Sequence, residues 1–221
     1  MSAALIGASV LAGAGPRGFA LLLVFFVTSS ALTRGGGRRR AAQVFANGGL
    51  AAACALLARW HGALLLAFAG ALAAAAADTW STEIGARSSR PPRLLTTWRE
   101  VPAGTSGGVT LLGSAGGIAG AATIGLAALV LLPIGRSAAL WIALGGAAGG
   151  VADSLLGATL QARWRCPVCG AVMETRRHGC GAAGTPERGI AWLDNDAVNA
   201  LATLVGAVVA LAAASGRASV P

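Results

Sequence analysis

Long apolar blocks separated by short polar segments make up most of the chain. The blocks run approximately over residues 2–15, 18–33, 44–58, 62–82, 107–132, 138–161 and 195–214. Most approach the length of about 20 residues that an α-helix needs to cross a bilayer. The pattern predicts an all-α polytopic membrane protein with about seven transmembrane helices in a single domain over residues 1–221. The first two blocks are short, and a shallow hairpin around Pro16 is the alternative to two crossings.

The composition supports the same class of protein. Of the 221 residues, 55% are hydrophobic and 11% are charged, whereas soluble domains carry about 25% charged residues. The net charge of +9 would suit a nucleic-acid-binding protein, but the arginines stand between apolar blocks and are not interleaved with aromatic residues. We therefore expect the lipid bilayer, and no nucleic acid, as a partner.

The arginines predict the orientation in the membrane. Of 17 arginines, 13 fall in the loops on one side of the seven expected crossings and four on the other. Positively charged loops stay in the cytoplasm, so the N-terminus is expected to be cytoplasmic, in a bacterial-type inner or plasma membrane. All eight acidic residues fall toward that side. The active face is therefore expected to be cytoplasmic.

Three acidic residues lie within or at the ends of predicted helices. Asp78 and Glu83 are about 140° apart around a helix, so they share a site only if the helix breaks after Thr82, which Gly85 would favour. Solvated acids at a helix end are the alternative. Asp153 lies on the order of 12 Å inside its helix, where a carboxylate is costly and indicates function. A structural arginine partner is the alternative for Asp153.

The last apolar block opens with a cluster of side chains that carry oxygen. Helix N-caps favour Asp and Asn, and capping explains one member of the cluster but not four. Residues one helical turn apart share a face, and such a group of hard oxygen ligands suits Mg²⁺. The members are Asp194, Asn195, Asp196 and Asn199.

A turn rich in glycine and hydroxyl groups lies at the start of the fifth block. Such a turn feeding a helix offers backbone N–H groups and a positive dipole end to a phosphate, and nearby arginines would add charge. It is not a Walker loop, because the chain has no lysine. The turn consists of Thr105, Ser106, Gly107 and Gly108, and the arginines are Arg93 and Arg99.

A cytoplasmic Cys/His loop at residues 162–190 is inserted between the last two helices. Cys166 and Cys169 form a CxxC pair, and His178 and Cys180 form an HxC pair. This set has the residue types and spacing of a structural Zn²⁺ knuckle. A redox CxxC and a loop without metal are the alternatives.

Several ordered motifs resemble the integral-membrane family catalogued as domain of unknown function 92, which includes the plant phytyl-phosphate kinase. The resemblance covers nearly the whole chain. It rests on the segments at residues 43–49, 77–85, 102–112, 153–161 and 193–199.

This resemblance implies phosphoryl transfer from a nucleoside triphosphate, expected to be CTP, to an isoprenoid monophosphate such as phytyl or geranylgeranyl phosphate. One or two Mg²⁺ ions would bridge the nucleotide phosphates, and Glu83 would be a further ligand or would support one. The expected Mg²⁺ ligands are Asp78, Asp153, Asp194 and Asp196; the residues expected to orient oxygens are Asn47, Asn195 and Asn199; and the turn with Arg93 or Arg99 would hold phosphate.

An ion-coupled or lipid-phosphate transporter is the alternative function. Buried acids beside glycine-rich helices also occur in carriers. However, the acids gather toward one side of the membrane, and its outer half carries no acidic residue to form a gate. A structural scaffold is a third class, and the depth of Asp153 argues against it.

Overall fold

The computed structural model describes residues 1–33 and 41–215. Part of the orientation prediction rests on Arg34, Arg38, Arg39, Arg40 and Arg217, which lie outside the described residues. The described residues form six α-helices. They are α1 (Ser2–Leu32), α2 (Ala41–Leu57), α3 (Leu64–Gly85), α4 (Leu111–Leu131), α5 (Arg136–Thr159) and α6 (Asn195–Ser215).

Helix α1 combines the first two apolar blocks and is sharply bent between them. Gly15 has a φ of 68° and a ψ of −170°, and Pro16 follows it. Proline removes a helical hydrogen bond, and a positive φ suits glycine. The ring of Phe19 lies against Gly7, because a Cβ added at Gly7 would lie 3.3 Å from it. Residues this far apart do not meet in a straight helix, so the two arms of α1 fold back on each other.

The prediction of seven separate crossings is not confirmed. Five helices are long and apolar enough to cross a membrane, namely α1, α3, α4, α5 and α6, while α2 is shorter, with 17 residues. The two arms of α1 reach only about 21 and 26 Å, less than the roughly 30 Å of a bilayer core. The bend joins two short blocks into one hairpin and so removes one of the seven, and the length of α2 accounts for the other.

Helix α3 is the centre of the bundle. Its residues 66–77 are all buried, mostly as alanine, and it packs against α2, α4, α5 and α6. Small residues allow this close approach. A Cβ added at Gly145 of α5 would lie 2.5 Å from the carbonyl oxygen of Gly206 in α6, and one at Gly206 would lie 2.6 Å from that of Gly70 in α3. The three helices therefore meet backbone to backbone.

Two small antiparallel sheets interrupt the all-α pattern at one end of the bundle. Strand β1 (Arg93–Leu94) pairs with β2 (Gly108–Val109) in the segment between α3 and α4. Between α5 and α6, β3 (Arg163–Arg165) pairs with both β4 (Val172–Met173) and β5 (Thr185–Arg188), in the order β4-β3-β5. The predicted Cys/His loop is therefore a folded three-stranded unit, which we call the ribbon (residues 160–194).

The helix ends bring all of these segments to the same end of the molecule. Helices α3 and α5 run in the same direction, because Ala73, Ala74 and Ala77 successively meet Gly146, Gly149 and Gly150. Arg87, just after α3, donates a hydrogen bond to the carbonyl oxygen of Leu32 at the end of α1. This end, which we call the polar end, thus carries the ends of α1, α3 and α5, the starts of α4 and α6, and the ribbon.

Candidate active site

A cavity of about 910 Å³ opens at the polar end. Its wall combines the last turns of α3 and α5, the first turns of α4, most of the segment between α3 and α4, and single residues from the ribbon and α6. The space between α4 and α5 stays open because small residues line it there. These are Gly113, Gly117, Ala147 and Gly150.

Two carboxylates from different helices face this cavity. Asp78 of α3 and Asp153 of α5 both line it. Helices α3 and α5 are in contact just before these two residues, because a Cβ added at Gly150 would lie 3.4 Å from the Cβ of Ala77. Asp78 is the next residue of α3 after this contact, and Asp153 follows it by about one turn of α5. The charges of Asp78 and Glu174 both act on Asp153. The structure therefore brings together two predicted ligands and a third acid.

The third acid, Glu174, reaches the cavity from the ribbon. Its Oε1 accepts hydrogen bonds from the backbone N–H of Ser106, at 3.2 Å, and from the Ser106 hydroxyl. Its Oε2 accepts one from Nε2 of Gln161, at 3.2 Å. Arg163 donates a hydrogen bond to the carbonyl oxygen of Ser106. A ribbon carboxylate is thus fixed to the predicted phosphate turn.

The four residues of this turn all line the cavity, but the turn is tightly packed. The N–H groups of Thr105 and Gly108 donate to the carbonyl oxygens of Pro102 and Thr105, and that of Ser106 donates to Glu174. Gly107 has a φ of 78°, and a Cβ there would lie 2.3 Å from the backbone nitrogen of Ala158. Three of the four N–H groups therefore have acceptors within the protein, and phosphate binding by this turn stays a prediction.

Two helices begin at the cavity. Thr110 caps α4 by accepting the N–H of Gly113 at 2.9 Å, and both residues line the cavity. Asn195, the first residue of α6, lines it too. Helix N-termini carry partial positive charge and favour anions. The cavity therefore combines carboxylates, which attract cations, with helix ends that attract phosphate.

Some predicted residues lie away from the cavity wall, and local structure explains their positions. The break after Thr82 that would let Asp78 and Glu83 share a site does not occur: α3 stays helical through Gly85, and Glu83 lies outside the lining. Arg93 forms an exposed ion pair with Glu100, at 2.7 Å, and does not line the cavity. Arg93 and Glu100 pair through their backbones within the same segment, and this pairing places the arginine side chain beside Glu100.

Five further predicted residues also lie outside the cavity lining. Asp194 caps α6 by accepting a hydrogen bond from the N–H of Ala197 at 3.0 Å. It is therefore the member of the cluster that helix capping explains. Asn47 and Asn199 are buried in the helix bundle, and Arg99 is exposed on its loop. Asp196 is partly buried and, like these residues, lies outside the cavity lining. Of the α6 cluster, Asn195 alone reaches the cavity.

Sequence reasoning missed several residues of the cavity wall. Glu174 lies in the Cys/His loop, and its contact with Ser106 spans 68 positions, so the spacing of residues along the chain does not indicate it. Among the described residues, Arg90 lines the cavity, and Arg93 and Arg99 do not. Ser81, one helical turn after Asp78, and Ser154, directly after Asp153, also line it. For Ser81 the helical spacing from Asp78 was a signal in the sequence.

One side of the cavity wall faces the surroundings of the bundle. Ile118 of α4 and Val151 of α5 line the cavity, yet 62% and 53% of these residues are exposed. In a membrane protein an exposed apolar helix face is in contact with lipid tails. The gap between α4 and α5 therefore connects the polar cavity with the apolar surroundings of the helices.

The predicted metal-binding side chains of the ribbon also come together. The ligand atoms of Cys166, His178 and Cys180 lie within 4.8 Å of one another, and Sγ of Cys169 lies 3.5 Å from Nδ1 of His178. The backbone N–H of Cys169 hydrogen bonds to the Cys166 sulfur and lowers the pKa of this thiol to about 7, even though burial opposes the shift. A thiol with such a pKa is readily available as a thiolate.

Fold and site together define a class: a polytopic helical membrane protein with a carboxylate-lined cavity at one end. Residues 1–207 match the model of the family described as integral membrane protein DUF92. The chain belongs to this family, as its motifs indicated.

Curated relatives support the membership. The chain is 34% identical to an uncharacterised membrane protein of Methanocaldococcus jannaschii, over 75% of this chain and 58% of the relative. It is 34% identical to Protein PGR of Arabidopsis thaliana, over 65% and 52%, and 28% identical to an uncharacterised membrane protein of Synechocystis, over 76% and 57%. The chain thus spans little more than half the length of these relatives. No solved structure matches it.

Proposed function

We propose that the protein is an integral-membrane phosphotransferase that converts an isoprenoid monophosphate, such as phytyl or geranylgeranyl phosphate, to the diphosphate. The phosphoryl donor is a nucleoside triphosphate, with CTP the first candidate from the family resemblance. The observation that carries the proposal is the cavity itself. It combines Asp78, Asp153 and Glu174 with the N-terminal ends of α4 and α6, and it is open between α4 and α5.

The opening between α4 and α5 supports an acceptor with an apolar tail. A phosphate at the polar end of the cavity would leave its tail beside Ile118 and Val151, where lipid chains contact the helices. A soluble acceptor would need no such opening. The substrate class is therefore an amphiphile with a phosphate head group.

The residues of the cavity fit Mg²⁺. This ion prefers oxygen ligands and is commonly held by one or two carboxylates together with substrate phosphates. Asp78 and Asp153 would hold it, and the mutual repulsion of these charges would fall when a cation binds. Bound Mg²⁺ would neutralise charge on the nucleotide phosphates. Asp194 is less suited, because its carboxylate caps α6.

The chemistry requires little covalent help from the protein. An oxygen of the acceptor monophosphate forms a bond to the γ-phosphorus of the nucleotide while the bond from that phosphorus to the β-bridging oxygen breaks, releasing nucleoside diphosphate. The acceptor is already an anion near neutral pH, so positioning and charge stabilisation dominate. Arg90 and the N-terminal end of α4 are the groups of this chain that would stabilise the phosphates.

We further propose that the polar end faces the cytoplasm of a bacterial-type inner or plasma membrane, with the N-terminus on the same side. The arginine distribution supports this orientation. Nucleoside triphosphates are available on that side. The two arms of α1 would then form a hairpin that enters and leaves the membrane on the cytoplasmic face.

The purified protein in detergent would be incubated with Mg²⁺, each labelled nucleoside triphosphate in turn, and farnesyl, geranylgeranyl and phytyl monophosphates. We expect a labelled diphosphate with wild type and a loss of about a hundredfold or more with Asp153→Asn. Glu187→Gln, in an exposed ion pair with Arg165 on the ribbon, is the matched control and should keep the activity.

Binding without transfer would contradict the proposal. If prenyl phosphate binds but no acceptor is phosphorylated with any nucleotide, the kinase function is excluded. Flux of lipid phosphate or of a coupling ion in proteoliposomes would then be the test of the transporter alternative, because the same cavity would serve as a binding site without chemistry.

A further inference from the structure

The ligand atoms of Cys166, His178 and Cys180 lie within 4.8 Å of one another, and Cys169 lies beside His178. Sγ of Cys166 lies 3.6 Å from Sγ of Cys180, and Nδ1 of His178 lies 3.5 Å from Sγ of Cys169 and 3.0 Å from Sγ of Cys180. In a tetrahedral zinc site, Zn–S bonds of about 2.3 Å and Zn–N bonds of about 2.0 Å place ligand atoms about 3.5–3.8 Å apart. Two of the three distances agree with this geometry, and the third is shorter.

A tight backbone turn closes around each of the two ligand pairs. In the first pair, the N–H of Gly170 donates to the carbonyl oxygen of Cys166 at 2.9 Å; in the second, that of Gly181 donates to the carbonyl oxygen of His178 at 2.9 Å. Each glycine follows the second ligand and has a positive φ, 72° and 87°. Two tight turns thus bring three of the ligand atoms together and place Cys169 beside His178.

The ribbon has little else to stabilise it. Its strands are two to four residues long, and within it the buried hydrophobic residues are Ala162, Trp164, Cys166 and Leu193. Units below about 40 residues usually need a metal, a disulfide or a partner to fold. The cysteines are free thiols.

The ligand pairs also bracket the residue that reaches the cavity. Glu174 directly follows β4, after the first pair and before the second. The sheet anchors to the bundle through Arg163 on the Ser106 carbonyl oxygen, and Arg188 on that of Gly157. An ion that joins both pairs would therefore fix the position of Glu174.

We propose that Cys166, Cys169, His178 and Cys180 bind one structural Zn²⁺, and that this ion holds Glu174 against Ser106 and so sets the conformation of the turn at residues 105–108. The ribbon is then a metal-dependent part of the cavity wall. The proposal concerns binding and conformation, and it stands whether or not the cavity transfers phosphate.

The first test is the metal content of the full-length protein purified in detergent with a reductant and without chelator. Elemental analysis should find about one zinc per chain in wild type. Cys166→Ser and Cys180→Ser should lose it, whereas His178→Cys, which keeps four ligands, should retain it. Cys54→Ser, a buried cysteine of α2, is the matched control and should stay loaded.

Several results would overturn the metal site. They are a wild-type protein that neither contains zinc nor takes it up on titration, serine variants that keep their zinc, or a disulfide between any two ribbon cysteines in protein purified with reductant. The retention by His178→Cys separates loss of a ligand from simple unfolding of the ribbon.

The second test is hydrogen exchange of the peptide that contains Ser106. Removing zinc with a chelator should speed exchange of the Ser106 amide about tenfold, because its acceptor Glu174 is released. Glu174→Gln should also speed this exchange while leaving the zinc content unchanged. Unchanged exchange after zinc removal would overturn the positioning role.

Discussion

Two glycines in the segment between α3 and α4 allow this part of the cavity wall to adopt its backbone conformation. Gly104 and Gly107 lie in the same segment, and both have a positive φ, 82° and 78°. A residue with a Cβ atom is destabilised at positive φ. A Cβ at Gly107 would also meet backbone atoms of Ala158, whereas one at Gly104 would meet nothing within 4 Å. Substitutions at these two positions therefore distinguish the effect of backbone strain from the effect of steric overlap on stability.

Gly107→Ala should lower the stability by about 3 kcal/mol, because steric overlap adds to the strain. Gly104→Ala should cost only about 1 kcal/mol, from the strain alone. Thermal unfolding in detergent would measure both. Equal effects of the two substitutions would contradict the packing of this turn against α5.

Asp194 offers a second test at this scale, because a cap and a metal ligand respond differently to substitution. Asp194→Ala should destabilise α6 by about 1 kcal/mol, while Asp194→Asn, which also caps helices, should cost much less. Circular dichroism melts of the two variants check this. A large loss of Mg²⁺ affinity in Asp194→Asn would instead restore this residue as a ligand.

At the scale of elements, close helix contact holds the carboxylates in place. Gly145 and Gly150 lie on the same helix, α5, which carries Asp153. A Cβ at Gly145 would overlap the Gly206 carbonyl oxygen, at 2.5 Å, whereas one at Gly150 would make ordinary contact with Ala77, at 3.4 Å. The approach of α5 to α6 thus depends on the first glycine.

Gly145→Ala should therefore destabilise the bundle by about 1–3 kcal/mol through overpacking. Gly150→Ala should be neutral or slightly stabilising, because alanine favours the helix by about 1 kcal/mol. The midpoint of thermal unfolding distinguishes the two. A Gly145→Ala protein as stable as wild type would show that α5 and α6 separate easily.

At the scale of the whole molecule, the bundle is divided into a polar end with all eight acidic residues at or near it and an opposite end with short connections. The turns between α2 and α3 and between α4 and α5 lie at the opposite end. This division gives a direct test of the orientation, because each end has an exposed residue suitable for labelling, Ser89 and Trp60.

In intact cells, a membrane-impermeant thiol reagent should label Trp60→Cys but not Ser89→Cys. After permeabilisation it should label Ser89→Cys as well. The protein without either substitution carries the same native cysteines and measures the background labelling under both conditions. The reverse pattern would place the cavity outside the cytoplasm.

The sequence by itself determined the membrane class, the family, the apolar segments and the gathering of acids toward one side. These features depend on local composition and periodicity, which each segment carries alone. It also identified Asp78, Asp153, Asn195 and the four residues of the turn, which do line the cavity.

Only the tertiary structure decided which polar groups meet. The fold of α1 at Gly15, the unbroken α3 that turns Glu83 away, and the contact of Glu174 with Ser106 all depend on packing between distant segments. Two predicted residues instead contact groups that are close in sequence: Arg93 pairs with Glu100, and Asp194 accepts a hydrogen bond from the N–H of Ala197. Spacing along a chain predicts which side chains share a helix face, but the position of one helix against another depends on the small residues between them.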